Sequence, residues 1–145
     1  GELELPESLT ILEGGNFYGN YFSGSFKIPK GLLSISVSAF ANCAFTGEAE
    51  IPEGVTCIHS FGFSSCINLQ KIILPGSLEL IDEAAFQDCK SLREIECKST
   101  VPPVVNDEAF HGVPLEDLTV IVPGSALNNY KSSESWSGFK HIIAK

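Results

Sequence analysis

The sequence predicts a strand-rich solenoid of about five stacked coils, closed at its C-terminal end by a cap. Three observations predict it. Pro6, Pro29, Pro52 and Pro75 lie 23 residues apart. Phe17, Phe40, Phe63 and Phe86 keep the same spacing, and so do Cys43, Cys66 and Cys89. Apolar columns run in phase with them: Leu5, Ile28, Ile51, Leu74, then Leu9, Leu32, Val55, Leu78, then Leu12, Ile35, Ile58, Ile81. A fixed period of this length marks a repeat architecture, in which one coil cannot bury its own apolar residues and a stack of coils can.

Each element follows from spacing. One full unit reads Cys66-x-x-Leu69-x-x-Ile72-x-Leu74-Pro75-x-x-Leu78-x-x-Ile81, then four residues, then Phe86. Ile72-x-Leu74 alternates with period two, so it is a short strand with one face buried. Pro75 ends that strand, because it cannot donate to a ladder. Leu78-x-x-Ile81 suits a turn or a second short extended piece. Ala85-Phe86 suits a tight helical or 3₁₀ turn that drops a ring into the interior. Stacked at about 4.8 Å, successive strands must be parallel with right-handed connections. The parallel sheet then forms the expected concave face, with short turns or strands on the convex side.

Some coils depart from this unit. In the second and third, Ser23 and Thr46 stand where a Leu is expected, and Phe22 and Phe45, one place earlier, fill the gap. The first coil's strand edge is bare, or is covered by a segment upstream of it. The fifth unit begins well with Cys89, Leu92, Ile95 and Cys97. It then has Lys98 for its Pro, gains Pro102-Pro103, and brings in Phe110 one residue late. Val101–Val105 reads as an irregular surface loop, and after Leu115 and Leu118 the pattern dissolves. In the tail, Pro123-Gly124-Ser125 and Ala126–Tyr130 suggest a turn and a short helix, and Trp136 and Phe139 supply rings that shield the last core layer. Residues 2–118 are thus the repeats and 119–145 the cap, in a single structural domain. Gly14-Gly15 and Gly112 read as turn residues.

Composition narrows the function. Nine basic against 18 acidic residues give a net charge of −9, which argues against nucleic acid and anionic membrane as partners. Runs such as Ile72-Ile73-Leu74 and Val120-Ile121-Val122 are too short to span a bilayer. Gly1 precedes patterned sequence in a chain without Met, which reads as an excised fragment, and the sequence is silent on a removed leader. Five cysteines rule out a complete disulfide framework. Cys43, Cys66 and Cys89 would stack near ~5 Å apart, a separation a disulfide permits, yet they read as buried thiols. Cys97 should be buried and Cys57 half exposed. No Cys/His spacing resembles a zinc site. His59, His111 and His141 lie apart in the repeat. Cys57 and His59 make a conceivable pair without an orienting third group or an oxyanion site. With no G-x-S-x-G, P-loop or G-x-G-x-x-G, the chain reads as a non-enzyme with no cofactor and no metal.

The outward strand positions supply the candidate site. One column reads Glu4, Lys27, Glu50, Ile73, Glu96, and another Glu2, Ser25, Glu48, Lys71, Glu94. Opposite charges alternate between neighbouring strands. This is either a solvated face with weak cross-strand pairs, or a concave binding surface with Ile73 exposed near its centre. The candidate ligand-binding residues are Glu4, Lys27, Glu48, Glu50, Lys71, Ile73, Glu94 and Glu96. A metal site from Glu48, Glu50, Glu94 and Glu96 would need coils two apart to converge across Lys71, and is rejected.

The unit C-x-x-L-x-x-I-x-L-P-x-x-L-x-x-I-x-x-x-x-F resembles the Treponema-type leucine-rich repeat of BspA-like proteins of bacterial surfaces. The resemblance covers residues 3 to about 118, and the tail with Tyr130, Trp136 and Phe139 is similar to the terminal segment of such proteins. It implies a leucine-rich-repeat solenoid of the α/β horseshoe class. It also implies an adhesin-like, non-enzymatic module, at the cell surface or outside the cell, that contacts a protein ligand such as a host matrix or surface protein. The alternatives are a glycan-binding module using Tyr18, Tyr21 and Tyr130, and a structural spacer or self-association domain.

Overall fold

A computed structural model describes residues 3–22, 24 and 26–145. The predicted strand-and-turn coil repeats through it. Its first sheet is built from β1 (Phe26–Lys27), β3 (Gly47–Glu50), β5 (Leu69–Leu74), β7 (Glu94–Cys97), β9 (Thr119–Val122) and β10 (His141–Ala144). All pairs in it are parallel, as a coil with an even pitch requires. Glu4 adds a single bridge to Lys27 at the N-terminal side.

The piece after each proline is also extended. β2 (Ser34–Ile35), β4 (Cys57–Ile58), β6 (Leu80–Ile81) and β8 (Val104–Val105) pair in parallel as a second sheet. This resolves the choice left open at Leu78-x-x-Ile81 in favour of a strand. It also corrects the reading of Val101–Val105 as an irregular loop. Pro102-Pro103 lengthens the approach, yet Val104-Val105 pairs with Leu80-Ile81.

The turn carrying Phe86 is not helical. Two residues per turn take the left-handed conformation, again 23 apart: Gly15, Ser38, Phe61 and Ala84, and Gly19, Asn42, Ser65 and Asp88. Those reversals interrupt any helical run and turn alternate N–H groups toward the next coil. In the third coil Phe61, Phe63 and Ser65 donate to the carbonyls of Glu83, Ala85 and Gln87 at 3.1, 2.8 and 2.7 Å. Ser38, Phe40 and Asn42 donate likewise to Ser60, Gly62 and Ser64. The turns therefore form a third hydrogen-bonded ladder, without strand geometry.

Between the ladders lies the core. Phe17, Phe40, Phe63, Phe86 and Phe110 stack in sequence with ring centroids 5.2–5.5 Å apart, and Phe139 closes the stack edge-on at 84°. Phe45 is buried and stacks on Phe26 at 4.9 Å, so it fills the place of the missing Leu beside the small Ala49. Phe22, partly buried, meets Phe17 edge-on, whereas Ser23 lies outside the described residues. The cysteine column is built of free, buried thiols. Cys43, Cys66 and Cys89 each donate to the carbonyl of the phenylalanine one coil earlier, Phe17, Phe40 and Phe63, at 3.0–3.1 Å.

The tail adds more than a cap. The spacing predicts that the repeat dissolves after Leu118, yet β9 and β10 continue the first sheet without a break. A 3₁₀ turn (Gly124–Ala126) and helix α1 (Leu127–Ser132) form where the sequence suggests a turn and a helix. Trp136 and Tyr130 are fully buried, and the Trp136 indole donates to the Pro103 carbonyl at 2.9 Å. Tyr130 donates to the Ser99 carbonyl and touches the Cys97 sulfur. Tyr130 therefore leaves the set of candidate glycan platforms.

Candidate functional site

The candidate residues do fall in register on the outer face of the first sheet. Glu48, Lys71 and Glu94 are direct cross-strand neighbours, and so are Lys27, Glu50, Ile73 and Glu96. Glu4 bridges to Lys27. Glu2 and Ser25 lie outside the described residues. Alternation places these side chains outward while Ala49, Ile72 and Ile95 point into the core.

Lys71 is the hub of the C-terminal half. Its ammonium lies 2.9 Å from Glu94, 3.6 Å from Glu96 and 3.8 Å from Glu48. Lys145, at the end of β10, reaches Glu96 at 2.7 Å. Lys98 reaches Glu50 at 2.9 Å from two coils away. These contacts raise the affinity of Lys71 and Lys98 for their protons, chiefly through hydrogen bonds to Glu94 and Glu50. The bond from Lys145 holds the Glu96 carboxyl below its usual range, with Lys71 adding to the effect. Lys98 has no counterpart in the repeat consensus. It stands where the fifth coil lost its proline, and only the two-coil reach of its side chain reveals its part.

This network corrects one expectation. Ile73 is 9% exposed and does not present an apolar centre. It sits in register between Glu50 and Glu96, and the Lys98–Glu50 bridge passes across its strand. Long Lys and Glu stems flanking a strand residue can cover apolar surface while their charges stay in water.

The N-terminal half differs. The Lys27 side chain is 78% exposed and meets Glu7 at 3.6 Å, not Glu4 or Glu50. Beside it opens a cleft of about 670 Å³ lined by Lys27, Lys30, Glu48, Glu50, Pro52 and Glu53, with Phe26 and Ile28 at its floor. The face thus runs from the network around Lys71 to an open cleft of mixed charge, with Glu48 and Glu50 shared between the two.

The remaining candidates are resolved by position. Cys57 is half buried and its sulfur lies 3.6 Å from His59 Nδ1. Burial, reinforced by the Asp82 carboxylate, raises its pKa, the reverse of what an activated nucleophile needs. Burial likewise pushes the Cys43 thiol up to about 11 and Cys89 up to about 12, so both are inert packing groups. His111 contacts Glu108 on the surface, and His141 contacts the Glu116 carbonyl. Among the described residues no group of three or more His, Cys, Asp and Glu side chains is arranged to hold a metal ion. Tyr18 and Tyr21 are exposed in the first coil, where Asn42 donates to the Tyr18 hydroxyl.

Comparison with known proteins agrees with this geometry. A search among curated proteins finds no match. The BspA-type leucine-rich repeat region matches residues 10–133 in six copies, against about five coils read from the spacing. β9 and the helix after it carry the coil's path into that range, and Pro123 follows Val120-Ile121-Val122 as Pro75 follows Ile72-Ile73-Leu74. The chain belongs to the BspA-type leucine-rich repeat family.

Proposed function

We propose that the chain is a non-enzymatic, adhesin-like module of a bacterial surface or secreted protein, which contacts a protein ligand through the outer face of its first sheet. The observation that carries this reading is the open, mixed-charge cleft lined by Lys27, Lys30, Glu48, Glu50, Pro52 and Glu53, where the Lys27 side chain is 78% exposed and Lys30 has no ion-pair partner among the described residues. Exposed charges lining a cleft on a rigid strand array are available to a partner, whereas Lys71 is enclosed by carboxylates of its own sheet. Membership of a family of repeat scaffolds supports a binding role, and a cell-surface or extracellular location is part of the same reading. Among the described residues no helix is long and apolar enough to cross a membrane.

The test is binding of the folded chain to a panel of extracellular matrix proteins, mucins and glycans. Its comparison is a variant carrying Lys27→Glu and Lys30→Glu. A protein ligand lost in the variant supports the reading. A ligand retained in the variant moves the site off this cleft. A glycan ligand would turn attention to Tyr18 and Tyr21, and binding to nothing on the panel would favour a spacer.

A further inference from the structure

The two sheets present opposite outer faces. Five of the nine basic residues, Lys27, Lys30, Lys71, Lys98 and Lys145, belong to the first sheet and its turns. The second sheet and its flanks, residues 10–16, 33–38, 56–61, 79–84 and 103–108, contain no Lys or Arg and six carboxylates: Glu13, Glu79, Asp82, Glu83, Asp107 and Glu108. Among the described residues only Glu108 of these six has an ion-pair partner, His111. The excess negative charge of the chain is therefore concentrated on this side.

The same face is apolar in its first coils. Ile11 is 75% exposed and Leu33 68%, with Val37 and Phe61 exposed beside them. They stand on three adjoining coils, Ile11 one repeat column from Leu33 and Val37 one column from Phe61. Ser34, Cys57, Leu80 and Val104 are consecutive outward neighbours across β2, β4, β6 and β8, and Leu33 adjoins Ser34. Phe61 donates its N–H to the Glu83 carbonyl, which joins the apolar end to the acidic one. At the acidic end a groove of about 320 Å³ is lined by Glu83, Val105, Asn106, Asp107 and Glu108. Exposed apolar side chains grouped on adjoining coils and bordered by charge suit a protein contact site.

We infer that the outer face of the second sheet docks a basic polypeptide segment, whose apolar side chains cover Ile11, Leu33, Val37 and Phe61 and whose Lys or Arg side chains meet Glu83, Asp107 and their neighbours. Charge decides the occupant. A second copy would set uncompensated carboxylates against their like, at a cost, whereas a cationic segment supplies the missing counter-charge and is steered in by it. This surface lies on a different sheet from the proposed cleft, and the inference stands without it.

The probe is a synthetic peptide of alternating Lys and Leu, with a Glu-Leu peptide as comparison, followed by fluorescence anisotropy at low and high salt. Three variants are compared with the parent chain: Leu33→Ser with Val37→Ser, Glu83→Lys with Asp107→Lys, and Glu116→Lys with Asp117→Lys. The third makes the same change in net charge away from the second sheet. All substituted residues are solvent-accessible, and circular dichroism checks that the fold is kept. The expected result is Lys-Leu binding that weakens with salt, falls about tenfold or more in the first two variants, and stays within about threefold in the third. Equal loss in the third variant would show attraction to net charge alone and overturn the inference. Unchanged binding in the first two, or no preference for the basic peptide, would also overturn it. A dimer of the chain that Leu33→Ser with Val37→Ser abolishes, without peptide binding, would overturn it by giving the face to a second copy.

Discussion

Phe63→Ala tests the stacked core most directly. The ring is fully buried and has a parallel neighbour on each side, Phe40 at 5.3 Å and Phe86 at 5.5 Å. Replacing a buried phenylalanine by alanine costs about 3–5 kcal/mol, with the spread set by how far the site can collapse. Here collapse is hindered. The backbone of residue 63 is tied to Ala85 at 2.8 Å, and the flanking turns are tied in the same way. Loss of two ring–ring contacts, each worth about 0.5–1.5 kcal/mol beyond area, pushes the cost toward the upper end of that range. Phe17, at the end of the stack, is only partly buried and has one parallel neighbour, so Phe17→Ala should cost about half as much. Urea unfolding followed by Trp136 fluorescence and by circular dichroism measures both. A loss below about 1 kcal/mol for Phe63→Ala, or equal losses at the two positions, would refute the continuous column.

Other outcomes follow from separate features. In the native chain a maleimide should label Cys57 first and leave Cys43, Cys66, Cys89 and Cys97 untouched, with all five labelled in denaturant; mass spectrometry counts the adducts. Because the Glu96 carboxyl titrates below its unfolded value, its contribution to stability is present above the ordinary carboxylate range and is lost as the pH falls through the folded value. Glu96→Gln should therefore flatten the acid limb of a plot of melting temperature against pH, and an unchanged limb would contradict the Lys71–Glu96–Lys145 network. Gly112→Ala should destabilise by about 1–3 kcal/mol in chemical denaturation, because residue 112 is left-handed at φ 78° and a Cβ there collides with the Asp88 carboxylate.

Much of the fold is legible in the sequence because a solenoid core repeats. The Pro, Phe and Cys columns give coil, register and burial, down to Phe45 standing in for a missing Leu. What is not legible depends on contacts that leave no period. Ile73 occupies an outward column, and nothing in spacing reveals that Lys98, two coils from Glu50, reaches across its strand. Val104-Val105 hides behind Pro102-Pro103, since proline argues against strands while pairing with Leu80-Ile81 wins locally. The left-handed residues are visible only where they are glycine. Ser38, Phe61 and Ala84 carry no such mark, and hydrogen bonds from Ser38 and Phe61 to the following coil hold the strained backbone in place. The candidate site is half legible. The alternating charges stand in the columns, but which of them pair and where a cleft opens depends on side-chain reach.

The three ladders of parallel hydrogen bonds also set how the molecule gives way under load. On the proposed function, a surface module that grips a partner would be pulled along its chain. The middle coils are fastened to one another on all three sides, and among the described ion pairs only those of Lys98 and Lys145 fasten a coil to one further off. Tension applied at the two termini should peel coils one at a time from an end, each releasing 23 residues, or roughly 75 Å of extended chain. A force–extension trace would then rise as a staircase with equal treads, and the protein would yield length gradually while the coils still folded kept their hold.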